Sequence, residues 1–137
     1  MTNVATIQNN QLTALEALNV MKNFLESHQQ MMAAVLKDYD IDYMLEQNDI
    51  VVLLGQLYCD QNGNLVDQDI WQDWLLSIKQ VVPNYHDQVT ILQAYYVTKK
   101  FLENYARKNI ADDVELLLGQ MNVLTVWMNS VNFVLNN

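Results

Sequence analysis

Only four residues in this chain of 137 can punctuate it strongly: Gly55, Gly63, Gly119 and Pro83. Sandwiches and barrels of many short strands draw their turns from Gly and Pro, so a fold of that kind lacks its raw material here. What lies between the four is apolar residues recurring at three- and four-residue steps, the spacing of one helix face. Leu15, Leu18, Met21, Leu25, Met32, Val35 and Leu36 predict a helix from Leu12 to about Lys37. Thr13 and Glu16 match a capping box, which puts its start at Thr13. A second helix begins at Asn48 or Asp49 and runs to about Tyr58. A third, capped by Asp67 or Asp69, carries Trp71, Trp74, Leu75 and Ile78 and stops before Pro83, which disfavours helix in the residue ahead of it. A fourth spans about Asp87 to Lys108, a fifth opens at Asp112-Asp113, and a sixth covers about Leu124 to Leu135. The prediction is an all-α, compact bundle of about six helices, with residues 1–137 as a single domain.

Two stretches resist the helical reading. Asp38-Tyr39-Asp40-Ile41-Asp42-Tyr43 suits a short strand and an acidic turn equally. Cys59-Asp60-Gln61-Asn62-Gly63-Asn64 reads as a loop; a hairpin pairing Leu57-Tyr58-Cys59 with Leu65-Val66 competes with it but has short flanks.

The halves 12–82 and 87–137 resemble each other. Ala17 to Glu26 recurs as Ala94 to Glu103, at an offset of 77. Asp49 to Leu57 recurs as Asp113 to Met121, at an offset of 64. Ile70-Trp71 is matched to Val126-Trp127, at an offset of 56. Leucine periodicity alone does not demand the shared Leu-Leu-Gly-Gln, and the blocks keep their order. An internal repeat of two three-helix units is expected, with Gly55 and Gly119 as matching helix caps. The stretches 29–48 and 59–66 belong to the first unit alone, and insertions of this kind are natural seats for function.

Chemistry is sparse. The series Asp38, Asp40, Asp42 opens like a calcium loop, but Tyr43 and Asp49 stand where Gly and Glu are needed. The single Cys59 excludes an internal disulfide and a cysteine cluster for zinc. His28 and His86 are the only histidines, both expected at the surface, and no local signature joins either to Cys59 or to a serine. No Gly-rich phosphate loop exists. Neither catalysis, a metal nor a cofactor is expected. Trp71 and Trp74 share a helix face and are read first as core, second as interface anchors. Cys59 is read as a buried, inert thiol.

Charge is the informative property. Seven basic residues face sixteen acidic ones, a formal −9, which disfavours a grip on nucleic-acid phosphates. Nine of the sixteen acids fall between Asp38 and Asp73, a span without Lys or Arg. Concentrated negative charge speeds and selects encounters with a basic partner. The surface expected to do so comprises Asp38, Asp40, Asp42, Glu46, Asp60, Asp67 and Asp69, with Tyr39 and Tyr43 as aromatic anchors. No apolar run reaches the ~18 residues of a membrane span. The opening ten residues lack the basic and apolar regions of a signal peptide, so a cytoplasmic location is expected.

The blocks Ala17 to Glu26, Asp49 to Leu57 and Asp67-Gln68-Asp69-Ile70-Trp71-Gln72-Asp73-Trp74-Leu75 resemble those of a family of small bacterial proteins found beside polymorphic toxins of the contact-dependent inhibition type. These are read as immunity proteins. The likeness runs from the start of the chain to Val82. The 29–48 stretch departs from it, and so does a second unit without the acidic Trp-x-Asp-Trp segment. The resemblance implies binding and neutralisation of a cognate basic toxin domain, such as a nuclease, by occlusion. It carries no set of contact residues. The competing readings are an acidic nucleic-acid mimic and a helical adaptor forming a homodimer.

Overall fold

A computed structural model describes residues 11–37, 49–119 and 123–135. In chain order they form β1 (Gln11–Thr13), α1 (Ala14–Lys37), α2 (Asp49–Gln56), α3 (Gln68–Val81), β2 (Gln88–Thr90), α4 (Ile91–Asn109), α5 (Asp112–Gly119) and α6 (Val123–Leu135). The fold is all-α as expected, with six helices and one two-stranded ribbon among the described residues.

The helix starts follow local chemistry. The Glu16 backbone N–H donates to Thr13 Oγ1, and the Thr13 N–H donates to Glu16 Oε1, the reciprocal bonds of a capping box. Thr90 and Gln93 repeat that box at the head of α4, at the same offset of 77. The predicted start at Asp87 is therefore too early. Gln88-Val89-Thr90 is instead a strand, pairing antiparallel with β1 so that Leu12 faces Val89. Three residues are too few to separate a period of two from one of 3.6, and the partner strand lies far off in sequence. α3 takes Asp67 as its N-cap and ends at Val81, ahead of Pro83.

Helix ends depart more from expectation. Gly55 lies inside α2, with Gln56 still helical after it, so it is not a cap. Among the described residues Gly63 is the glycine with positive φ, +82°. The left-handed cap occurs instead at Ile110, φ 51°, after α4. Its Cβ crowds the following carbonyl there, at a cost of about 1–2 kcal/mol.

Burial follows the offsets. Ala17, Val20, Phe24 and Leu25 are buried, and so are Ala94, Val97, Phe101 and Leu102 at the offset of 77. Ile50 and Leu53 match Val114 and Leu117 at 64. The third block corrects the expected register. The two fully buried tryptophans are Trp74 and Trp127, whereas Trp71 is half-buried. Trp74, Ser77 and Ile78 match Trp127, Ser130 and Val131 in burial, so the offset is 53 rather than 56. Trp-x-Asp-Trp offered two indoles for one partner, and only packing chooses between them.

The helices also exchange. α3 packs chiefly against α4, and α6 chiefly against α1, so each half's third helix covers the first helix of the other. At the centre α2 meets α5. The Asp49 N–H donates to Asp113 Oδ2 at 3.1 Å, and the Asp113 N–H donates to Asp49 Oδ2 at 3.2 Å. Each carboxylate thus satisfies an orphan donor at the start of the other's helix. The buried residues of both halves join one hydrophobic core.

Candidate partner-binding surface

Features present in both halves serve the shared frame, so a functional surface is sought where the halves differ. The cleft between α3 and α4 illustrates the first kind. It encloses about 300 Å³ and is lined by Leu76, Gln80, Asn104 and Arg107. The hollow between α1 and α6 is lined by Asn129, Phe133, Ser27 and Gln30, the same positions at offsets 53 and 77. Two clefts at matching places are a by-product of the packing.

The connection between α2 and α3 is of the second kind. It holds eleven residues (57–67) where its counterpart holds three (120–122), and the offset falls from 64 to 53 across it. The extra residues form a small hairpin, the reading given less weight from the sequence. Cys59 bridges Leu65, and the Val66 N–H donates to the Tyr58 carbonyl at 3.0 Å. Asp60 organises the turn: its Oδ1 accepts from the backbone N–H groups of Asn62 (2.8 Å) and Asn64 (3.0 Å), while Gly63 supplies the positive φ. Leu57 and Leu65 point into the core and anchor the hairpin. Alternation along both arms sends Tyr58 and Val66 outward, 67% and 54% exposed.

Asp67 follows at once, its side chain accepting from the Ile70 N–H at 3.0 Å as helix cap. Asp69 is exposed in the first turn of α3, where a carboxylate suits the helix dipole. Half-buried Trp71, one turn after the Asp67 cap, joins Leu15, Leu65 and Val66 around an open hollow of about 630 Å³ that Asp60 also lines. Trp74 is core: its Nε1 donates to the Ala14 carbonyl at 2.9 Å, and its ring meets Phe101 edge-on.

Of the expected surface, the structure thus places Asp60, Asp67 and Asp69 along one short segment. Two of them commit carboxylate oxygen to the backbone, a structural duty the sequence reading left out for Asp60. Asp38, Tyr39, Asp40, Asp42, Tyr43 and Glu46 lie outside the described residues. Tyr58, Val66 and Leu15 were missed. The alternation of Tyr58-Cys59 against Leu65-Val66 was the signal for the first two.

Charge separates the halves as clearly as shape does. Residues 1–82 hold eleven acids and three lysines, a formal −8, whereas residues 83–137 hold five acids and four basic residues, a formal −1. The one ion pair among the described residues is Lys108 with Asp73, at 3.2 Å on the α3–α4 side. Exposed pairs of this kind contribute little to stability.

The isolated polar residues stand apart from this surface. His86 is exposed, but His28 is half-buried on α1, against expectation, and desolvation lowers its pKa below the usual 6.5. Cys59 is half-buried rather than buried. Tyr105 donates to Gln56 Oε1 at 2.7 Å. Burial, aided by the Asp49 charge, raises its pKa above 10.0. Among the described residues no three His, Cys, Asp or Glu side chains gather to hold a metal ion, and no helix is long and apolar enough to cross a membrane. Compared with models of protein families, with curated proteins and with solved structures, this chain matches none.

Proposed function

We propose that this chain is an immunity-type protein that binds a basic toxin domain and neutralises it by occlusion. The observation that carries the reading is an asymmetry. A formal −8 resides in the half that also bears the added hairpin, while the other half, which shows no hairpin among its described residues, is nearly neutral. The acids supply long-range steering and selectivity, and exposed apolar and aromatic groups supply the lasting contact. In sequence the run of acids also includes Asp38, Asp40, Asp42 and Glu46, with Tyr39 and Tyr43 as the proposed anchors. A nuclease is one toxin class with the required basic surface.

The test is a low-salt pull-down from the source organism with identification of the captured protein, since screening weakens an electrostatic complex. One stoichiometric basic partner, encoded beside this chain, is expected. Capture of the chain alone would move the reading to the homodimer. Competition by DNA for the partner's site would move it to the nucleic-acid mimic. With the partner in hand, the double variant Asp40→Lys/Asp42→Lys should slow association by about tenfold and flatten its salt dependence. Unchanged kinetics would remove Asp38–Glu46 from the account.

A further inference from the structure

The hollow beside the hairpin has a chemistry narrower than general acidity. About half of its lining is apolar: Leu15 from α1, Leu65 and Val66 from the hairpin, and Trp71 from α3. Its polar edge carries Asp60, Asn64 and Gln68. Asp60 uses Oδ1 for the two turn N–H groups, and among the described residues no hydrogen bond occupies its Oδ2. The Gln68 Nε2 is engaged with the Leu65 carbonyl, which stiffens the rim. No Lys or Arg is among the residues that line it.

Resting on the proposed function, we infer that this hollow receives one arginine side chain of the partner. Charge complementarity selects a cation. The apolar part of the lining selects a cation with an extended methylene stem, since such stems bury readily while the charged head stays polar. A half-buried indole and a carboxylate lining one hollow favour guanidinium over ammonium. Guanidinium is planar, weakly hydrated and able to stack on an aromatic ring while its N–H groups meet carboxylate oxygen. The surrounding acids therefore attract any basic surface, and the hollow distinguishes arginine from lysine.

Trp71 reports directly on the site, because Trp74 and Trp127 are both fully buried. The experiment titrates the intact protein at low salt with hexa-arginine and, separately, hexa-lysine, following tryptophan emission. Hexa-arginine is expected to bind about tenfold tighter and to change the emission, a change that Trp71→Phe abolishes. Asp60→Asn keeps an Oδ1 acceptor for the turn and removes the charge, so the fold survives. It should reduce hexa-arginine affinity about tenfold and largely erase the preference over hexa-lysine. Equal affinity for the two peptides, emission that stays constant, or an Asp60→Asn variant that binds as before would each overturn the inference. A basic partner captured in the pull-down beside any of these results would sink the arginine hollow alone. Arginine selectivity without a captured partner would sink the toxin reading alone.

Discussion

The two halves match in which helix positions they bury and differ in what they expose. Trp74 in the first half and Trp127 in the second are both buried to 0% exposure, on third helices that each cover the opposite half's first helix. Trp74 has a hydrogen-bond acceptor in Ala14, whereas the buried Nε1 of Trp127 has no partner among the described residues. The first half also carries the hairpin and nearly all the net charge. At this matched position the indole N–H is therefore paired in the first half and, among the described residues, unpaired in the second. Shared positions are held by packing. Unshared ones are free to answer to a partner.

The largest test of this contrast is at the tryptophans. Either Trp→Ala change should cost about 3–5 kcal/mol in urea unfolding. The sharper comparison is Trp→Phe: Trp74→Phe loses its hydrogen bond to the Ala14 carbonyl, whereas Trp127→Phe removes an indole N–H with no partner among the described residues, so the first should cost about 1 kcal/mol more. Equal costs would show that the indole of Trp127 is satisfied after all. Next come the central aspartates. Asp49→Ala and Asp113→Ala should each cost about 1 kcal/mol, and the double variant should fall short of the sum, because each carboxylate caps the other's helix. Strict additivity would break the idea that α2 and α5 stabilise one another through this pair.

Ile110→Gly should raise stability by about 1 kcal/mol, since glycine takes φ 51° without strain. A loss instead would mean that the 82% exposed side chain contributes contacts or restrains the unfolded chain. The smallest effects are in pH. His28 and Tyr105 occupy the same position in the two halves, at the offset of 77. The His28 pKa is lowered in the folded state, so the unfolded chain binds more protons and stability should fall as pH drops below about 6.5. The Tyr105 pKa is raised, so the folded state keeps its proton longer and stability should fall as pH climbs above about 10. His28→Gln and Tyr105→Phe should each flatten only its own limb of the unfolding profile. A limb unmoved by its substitution would assign that pH dependence elsewhere.

The sequence was most legible where chemistry is local. Thr13 with Glu16, Asp67 ahead of Ile70, and Pro83 after Val82 act within a few residues, and the boundaries they imply agree with the helices formed. Residues paired at offsets of 77 and 64 also agree in burial, since positions with matched burial favour matched residue types. What escaped depended on distant partners. Val89 becomes strand because Leu12 lies opposite. Gly55 stays helical, although a glycine near a helix end suggested a cap. The match of Trp127 to Trp74 rather than Trp71 is decided by a core both halves build. At the surface the acids of the hairpin and α3 were visible, but Tyr58 and Val66 emerge only once the arms pair. Leu15 was assigned to a helix face without showing that Trp71 and the hairpin meet it.

The exchange of third helices also sets an order of events at the ribosome. α3 and α4 are neighbours along the chain and can cover one another soon after they emerge. α1 is made among the first helices and must wait for α6, among the last. Throughout that interval the part of its apolar side that α6 covers is open to chaperones or to another nascent copy. A chain cut short before Trp127 would never close that face, so loss of the last helix should be felt most at the opposite end of the sequence.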